Sequence, residues 1–158
     1  MERILKYYDF INESYEFKNT TRDLYDTAVS YTFTNRDNIE FRVIFELKDY
    51  TWCRVYGIVG AKQFRELDKP DAINVVKTVT EITIDFINRY DPKIILIEHI
   101  PSESEKDDEL YRPSDENKRT RVHRRFLLRL LPKNYKYSNE GPSSMITRIE
   151  DQNKEYHE

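Results

Sequence analysis

The run from Asp71 to Ile100, DAINVVKTVTEITIDFINRYDPKIILIEHI, constrains the fold more than any other part of the chain. Val75, Val79, Ile82 and Phe86 recur at i, i+4, i+7 and i+11, the period of a helix with one apolar face. Asp68-Lys69-Pro70-Asp71 is a suitable start, since proline is tolerated in the first turn and acids suit a helix N-terminus. Asp91-Pro92 ends the helix, because proline disfavours helical geometry in the residue before it. Ile94 to Ile97 then forms an unbroken apolar run, expected of a strand covered on both faces. The rest of the chain must supply strands beside that one and a second helix to pack near it.

The strands are legible upstream. Tyr31 and Phe33 alternate with threonines, and Asn35-Arg36-Asp37-Asn38 is a turn. Ile39, Phe41, Val43, Phe45 and Leu47 take every second position, giving a strand with one core face and one wet face. Lys48-Asp49-Tyr50 supplies the next turn, and Thr51 to Val59 a third strand in which Cys53 and Val55 alternate with Trp52, Arg54 and Tyr56. On this reading Cys53 is a buried, inert thiol, and Trp52 and the tyrosines lie on the outward side. Gly57 and Gly60 mark a bulge or the strand's end. Short turns make the three strands an antiparallel meander.

Downstream, residues 101–117 form a loop with seven acids, long for a compact domain. Lys118 to Lys133, KRTRVHRRFLLRLLPK, follows with seven basic residues and no acid. Val122, Phe126 and Leu130 form an apolar stripe with Leu127 and Leu131 alongside, and Lys118, Arg121, Arg125 and Arg129 form a basic row, so the segment reads as a basic amphipathic helix ended by Pro132. Tyr135 to Ser138 and Met145 to Ile149 read as a closing hairpin around Asn139-Glu140-Gly141-Pro142. The fold class is α+β: a meander, a long amphipathic helix, a buried strand, a basic helix and a C-terminal hairpin. The expected division is an N-terminal arm over 1–18, one domain over 19–150 and a flexible tail over 151–158.

Composition narrows the function. The chain is 35% charged and 38% apolar, yet carries twelve tyrosines and eight phenylalanines, which a disordered chain would not. One cysteine excludes an internal disulfide framework and a cysteine-based zinc site, and three scattered histidines give no metal-ligand spacing. Three glycines without a phosphate-binding loop pattern argue against a standard nucleotide site. No apolar run approaches the roughly 20 residues that cross a bilayer. The expectation is therefore no cofactor, no metal and no membrane.

Two places could carry function. The basic residues Lys118, Arg119, Arg121, Arg124, Arg125 and Arg129 could bind nucleic acid or another partner, pair with the acidic loop, or form a solvated face. Glu98 and His99 end the buried strand, where ligands collect in sheets with parallel strands, and could form an acid/base pair or a structural strand end. Thr78, Thr80 and Thr83 are read as bonding back to their own helix.

Two resemblances add to this. LKYYDFINES, Leu5 to Ser14, resembles the capsid-targeting peptide of tailed-phage internal head proteins through Lys6, Tyr8, Phe10, Ile11 and Glu13. It starts at the fifth residue rather than at the initiator methionine, and it implies cleavage after Glu13. Val76, Thr78, Val79, Ile82, Asp85, Phe86, Ile94 to Ile97, Arg119 and Arg121 resemble the pattern of small α+β domains of phages and some bacteria, over about residues 30–138. That likeness implies a fold and no chemistry. The expectation is a phage-encoded binding protein of the host cytoplasm or virion, with a protein partner first, nucleic acid second, and an enzyme at Glu98 and His99 third.

Overall fold

A computed structural model describes residues 14–21, 27–59, 69–98, 118–140 and 143–150. The chain is α+β, a mixed sheet of seven strands with two helices among the described residues. The strands are β1 (Phe17–Asn19), β2 (Ala28–Thr34), β3 (Glu40–Lys48), β4 (Thr51–Ile58), β5 (Ile94–Glu98), β6 (Tyr135–Glu140) and β7 (Ser143–Arg148), in the spatial order β1-β2-β3-β4-β5-β7-β6. The helices are α1 (Lys69–Tyr90), between β4 and β5, and α2 (Lys118–Leu130), between β5 and β6. β1 to β4 pair antiparallel in succession, and β5 lies parallel to β4, the two joined through α1. β7 pairs antiparallel with both β5 and β6. Phe17–Asn19, where the expected arm meets the domain, is the sheet's first strand.

α1 forms where the apolar period places it. Val75, Val79, Ile82 and Phe86 are all buried against the sheet. Phe86 is the centre of that contact, stacked on Phe45 at 4.0 Å and meeting Trp52 edge-on at 5.1 Å. Thr78, Thr80 and Thr83 each donate to the carbonyl four residues back. The helix ends at Asp91, whose φ of 47° is the left-handed conformation of a helix C-terminal cap, directly before Pro92. On β5, Ile95 and Ile97 are buried, whereas Ile94 and Leu96 are only half-buried. The strand is covered fully on the helix side alone, because both helices pack on that face.

The third strand departs from expectation. Asp49 and Tyr50 both have positive φ, and Lys48 pairs with Thr51, so the hairpin loop has two residues of the type I′ kind. Arg54 is therefore opposite Phe45, and Tyr56 opposite Val43. Directly opposed residues share a face. Trp52, Arg54 and Tyr56 consequently turn toward the helices, while Val55 is 55% exposed on the open face and Cys53 is half-buried there. The inward-outward assignment of Trp52 and Cys53 made from alternation is reversed, since a one-residue slip moves every side chain of a strand to the other face. Gly57 lies within β4, where a Cβ would meet nothing within 4 Å. Gly60 lies outside the described residues.

Partly buried phenol–carboxylate contacts fasten the sheet, and Tyr15 just before it, to α1 and the turn that ends it. Tyr31 donates to Asp85 at 2.8 Å, Tyr15 donates to Asp71, and Tyr135 donates to Asp91 at 3.0 Å and to the Pro92 carbonyl at 2.7 Å. Burial first, and the neighbouring carboxylate second, push the Tyr15 and Tyr135 hydroxyls up to about 12 and the Tyr31 hydroxyl higher still. A phenol with a raised folded-state pKa contributes stability that is complete below the ordinary value near 10 and is lost as pH rises through the folded value. The fold should therefore unfold cooperatively between pH 10 and about 12, with part of the tyrosine absorbance change at 295 nm coinciding with loss of the circular-dichroism signal. Complete tyrosine titration near pH 10 with the fold intact would contradict this.

Candidate functional site

The two helices run in the same direction across one face, opposite to β5. Thr80 of α1 faces His123 of α2, and Tyr135, just past α2, reaches the turn that ends α1. Both helix N-termini therefore point toward the end where β4 and β5 finish and β7 begins. Glu98 ends β5 there, paired with Ser143. His99 and the acidic segment 101–117 lie outside the described residues, as does Glu13.

Beneath α2, beside the last residues of β5, is a polar cluster within the core. Arg54 is only 5% exposed. One terminal nitrogen, Nη1, donates to Thr83 Oγ1 at 3.1 Å and to His123 Nε2 at 2.6 Å. A guanidinium only donates, so Nε2 accepts and the ring proton lies on Nδ1, which donates to Thr80 Oγ1 at 2.8 Å. The Thr80 hydroxyl in turn donates to the Val76 carbonyl at 2.9 Å, and the chain of donors closes on the helix backbone. The Arg54 guanidinium carbon lies 5.6 Å from the Tyr56 ring centre, within cation–π range. Burial pulls the Arg54 pKa down to about 10, which leaves it charged at neutral pH. Its Nε is buried with no hydrogen-bond partner.

This cluster fixes how α2 is rotated. His123, Phe126 and Leu127 are buried, while Val122 and Leu131 are half-buried. Leu130, expected in the inward stripe, is 38% exposed. The inward face is turned because a histidine with two hydrogen-bond partners takes one of its positions. Outward, Arg121, Arg125 and Arg129 are exposed in a row at intervals of one helical turn, about 6 Å. Leu128, beside them, is 63% exposed. No ion pair joins these three arginines to any described residue. Arg124 is half-buried and engaged in contacts, so it stands apart from the row. Lys118 and Arg119 stand in the first turn of α2.

Of the residues singled out from sequence, then, Arg121, Arg125 and Arg129 share one exposed face, whereas Arg54, Thr80, Thr83 and His123 form an unforeseen buried cluster below it. On the sheet's other face a shallow groove of about 500 Å³ is lined by Thr20, Ser30, Thr32, Glu40 and Arg42. Among the described residues no three histidine, cysteine or acidic side chains gather in a way that could hold a metal ion, and no helix is long and apolar enough to cross a membrane. Comparison with protein-family models, curated proteins and solved structures finds no match to this chain.

Proposed function

We propose that this chain is a small phage-encoded, non-enzymatic protein that binds a protein partner through the outward face of α2, in the host cytoplasm or the virion. The observation that supports the binding reading most is the composition of that face: an exposed leucine set among exposed arginines that no described carboxylate engages. Arginine around an apolar anchor is the chemistry of protein interface hot spots. Phosphate recognition has no use for Leu128, and a chain of net charge −3 gives a nucleic acid no general attraction. The partner surface is expected to present carboxylates around an apolar recess.

The phage assignment rests on the N-terminal resemblance. The hydrogen bond from the Tyr15 amide to Thr78 and its side-chain contact with Asp71 both lie beyond Glu13 and would survive a cut there. Intact-mass measurement of purified virions tests this, since a packaged chain beginning at Ser14 supports cleavage and a full-length one removes it.

A photo-crosslinking residue in place of Leu128, with one in place of exposed Lys136 as a distant control, tests the binding surface. The expected outcome is a discrete protein adduct from position 128 alone, abolished by Arg121→Glu with Arg125→Glu. Equal labelling from both positions would overturn the assignment. The three-arginine row is also the one observation that favours nucleic acid, and adducts to DNA or RNA would select that reading. Three phosphate contacts then give a log–log salt slope of about −3.

A further inference from the structure

We propose that Arg54 anchors an oxyanion-binding site beside the carboxyl end of β5, one that receives a phosphate or carboxylate group. A buried guanidinium normally has a carboxylate beside it, because an uncompensated charge in the interior is costly. Among the described residues Arg54 has none: its partners are the Thr83 hydroxyl, the His123 ring and the face of Tyr56. The arrangement of these partners is selective. Both hydrogens of Nη1 are engaged, one by Thr83 and one by His123, so that side of the guanidinium is clamped. The opposite edge, Nε with Nη2, donates to no described residue, and Nε is buried. That edge is the fork that grips two oxygens of one phosphate or carboxylate.

The surroundings suit an anion. In β7, Ser144 pairs with Ile97, which pairs in turn with Arg54, placing Ser144 two strands across on the same row. Its hydroxyl shares a 2.6 Å hydrogen bond with Tyr137. In sheets with parallel strands, ligands also collect at the carboxyl ends. His123 acts here as a positioning residue, orienting the fork from Nη1 without touching the anion. None of this depends on the outward arginines of α2.

The test is a titration of the full chain with sodium phosphate, and separately with sodium acetate, at constant ionic strength, following the side-chain Nε–H resonance of Arg54 by NMR. The expected result is a saturable shift of that resonance. Calorimetry should show the same affinity in the Arg121→Glu/Arg125→Glu variant and an affinity about tenfold or more weaker in Arg54→Lys, which keeps the charge and loses the fork. The more strongly bound anion assigns the group as phosphate or carboxylate. An Arg54 Nε–H signal that neither anion moves overturns the proposal, as does affinity that follows Arg121 and Arg125 instead. The wild-type resonance decides the matter even if Arg54→Lys does not fold.

Discussion

Replacing Asp71 with alanine is expected to destabilise the fold by about 3 kcal/mol, lowering its melting temperature by roughly 10 °C. Asp71 is 1% exposed in the first turn of α1, and its two oxygens hold different parts of the chain. One accepts from the Tyr15 hydroxyl, and the other accepts from Asn35 Nδ2 at 2.8 Å. Asn35 in turn uses its side-chain oxygen to accept from the Asp37 and Ile39 amides, which shapes the β2–β3 turn. Alanine would leave the Asn35 amide and the Tyr15 hydroxyl without their acceptor, and a buried donor left unpaired costs more than the lost bond itself. Asp71→Asn keeps the shape but presents a donor where an acceptor is needed, so it should fall between the two. Urea unfolding of the three proteins measures the order, and an Asp71→Ala midpoint equal to wild type would remove Asp71 as the fastening point.

Phe86→Ala should cost more, about 4 kcal/mol, because it removes the ring on which α1 and the sheet meet. Phe86 is fully buried, parallel to Phe45 and edge-on to Trp52, and also stacks with Tyr90 at 5.1 Å. The loss combines transfer free energy with a cavity that neighbouring rings can fill only by leaving their own contacts. Val55→Ala, on the exposed face of β4, serves as the contrast and should change stability by no more than about 0.5 kcal/mol. Comparable losses for the two would mean that the core does not centre on Phe86.

These two residues mark what the sequence made legible. Phe86 belongs to the row Val75, Val79, Ile82, Phe86, and a helical period of that length names its own buried face. Asp71 could be read as a helix-start acid, but its pairing with Tyr15 and Asn35 joins segments 56 and 36 residues away, which no local pattern reports. The reversal in β4 has a more particular cause. Reading Lys48-Asp49-Tyr50 as a three-residue turn sets Cys53 opposite Phe45, whereas the two-residue loop at Asp49-Tyr50 sets Arg54 there. The missing signal was turn chemistry: Asp49-Tyr50 lacks the glycine that usually announces a type I′ loop, so nothing local fixed the register. Side-chain bulk carries the signal that alternation lacks, since Trp52, Tyr56 and Ile58 need a core more than Cys53, Val55 and Gly57 do.

The same error hid the polar cluster. Alternation alone puts Arg54 on the wet face, which leaves His123 without a partner in the sequence. Leu130 looked equivalent to Val122 and Phe126 because hydrophobic spacing cannot register a histidine satisfied on both ring nitrogens. The outward row fared better, since Arg121, Arg125 and Arg129 recur at a helical interval and a buried side can only be the other one.

Reversing Arg121, Arg125 and Arg129 to glutamate together separates binding by the outward face of α2 from the hold of its inward face on the fold. Unfolding midpoint and affinity for the partner captured through position 128 are then measured side by side. The expected result is a stability change within about 1 kcal/mol and an affinity lower by about a hundredfold. Unchanged affinity, or a loss of binding that merely tracks loss of the fold, would contradict it.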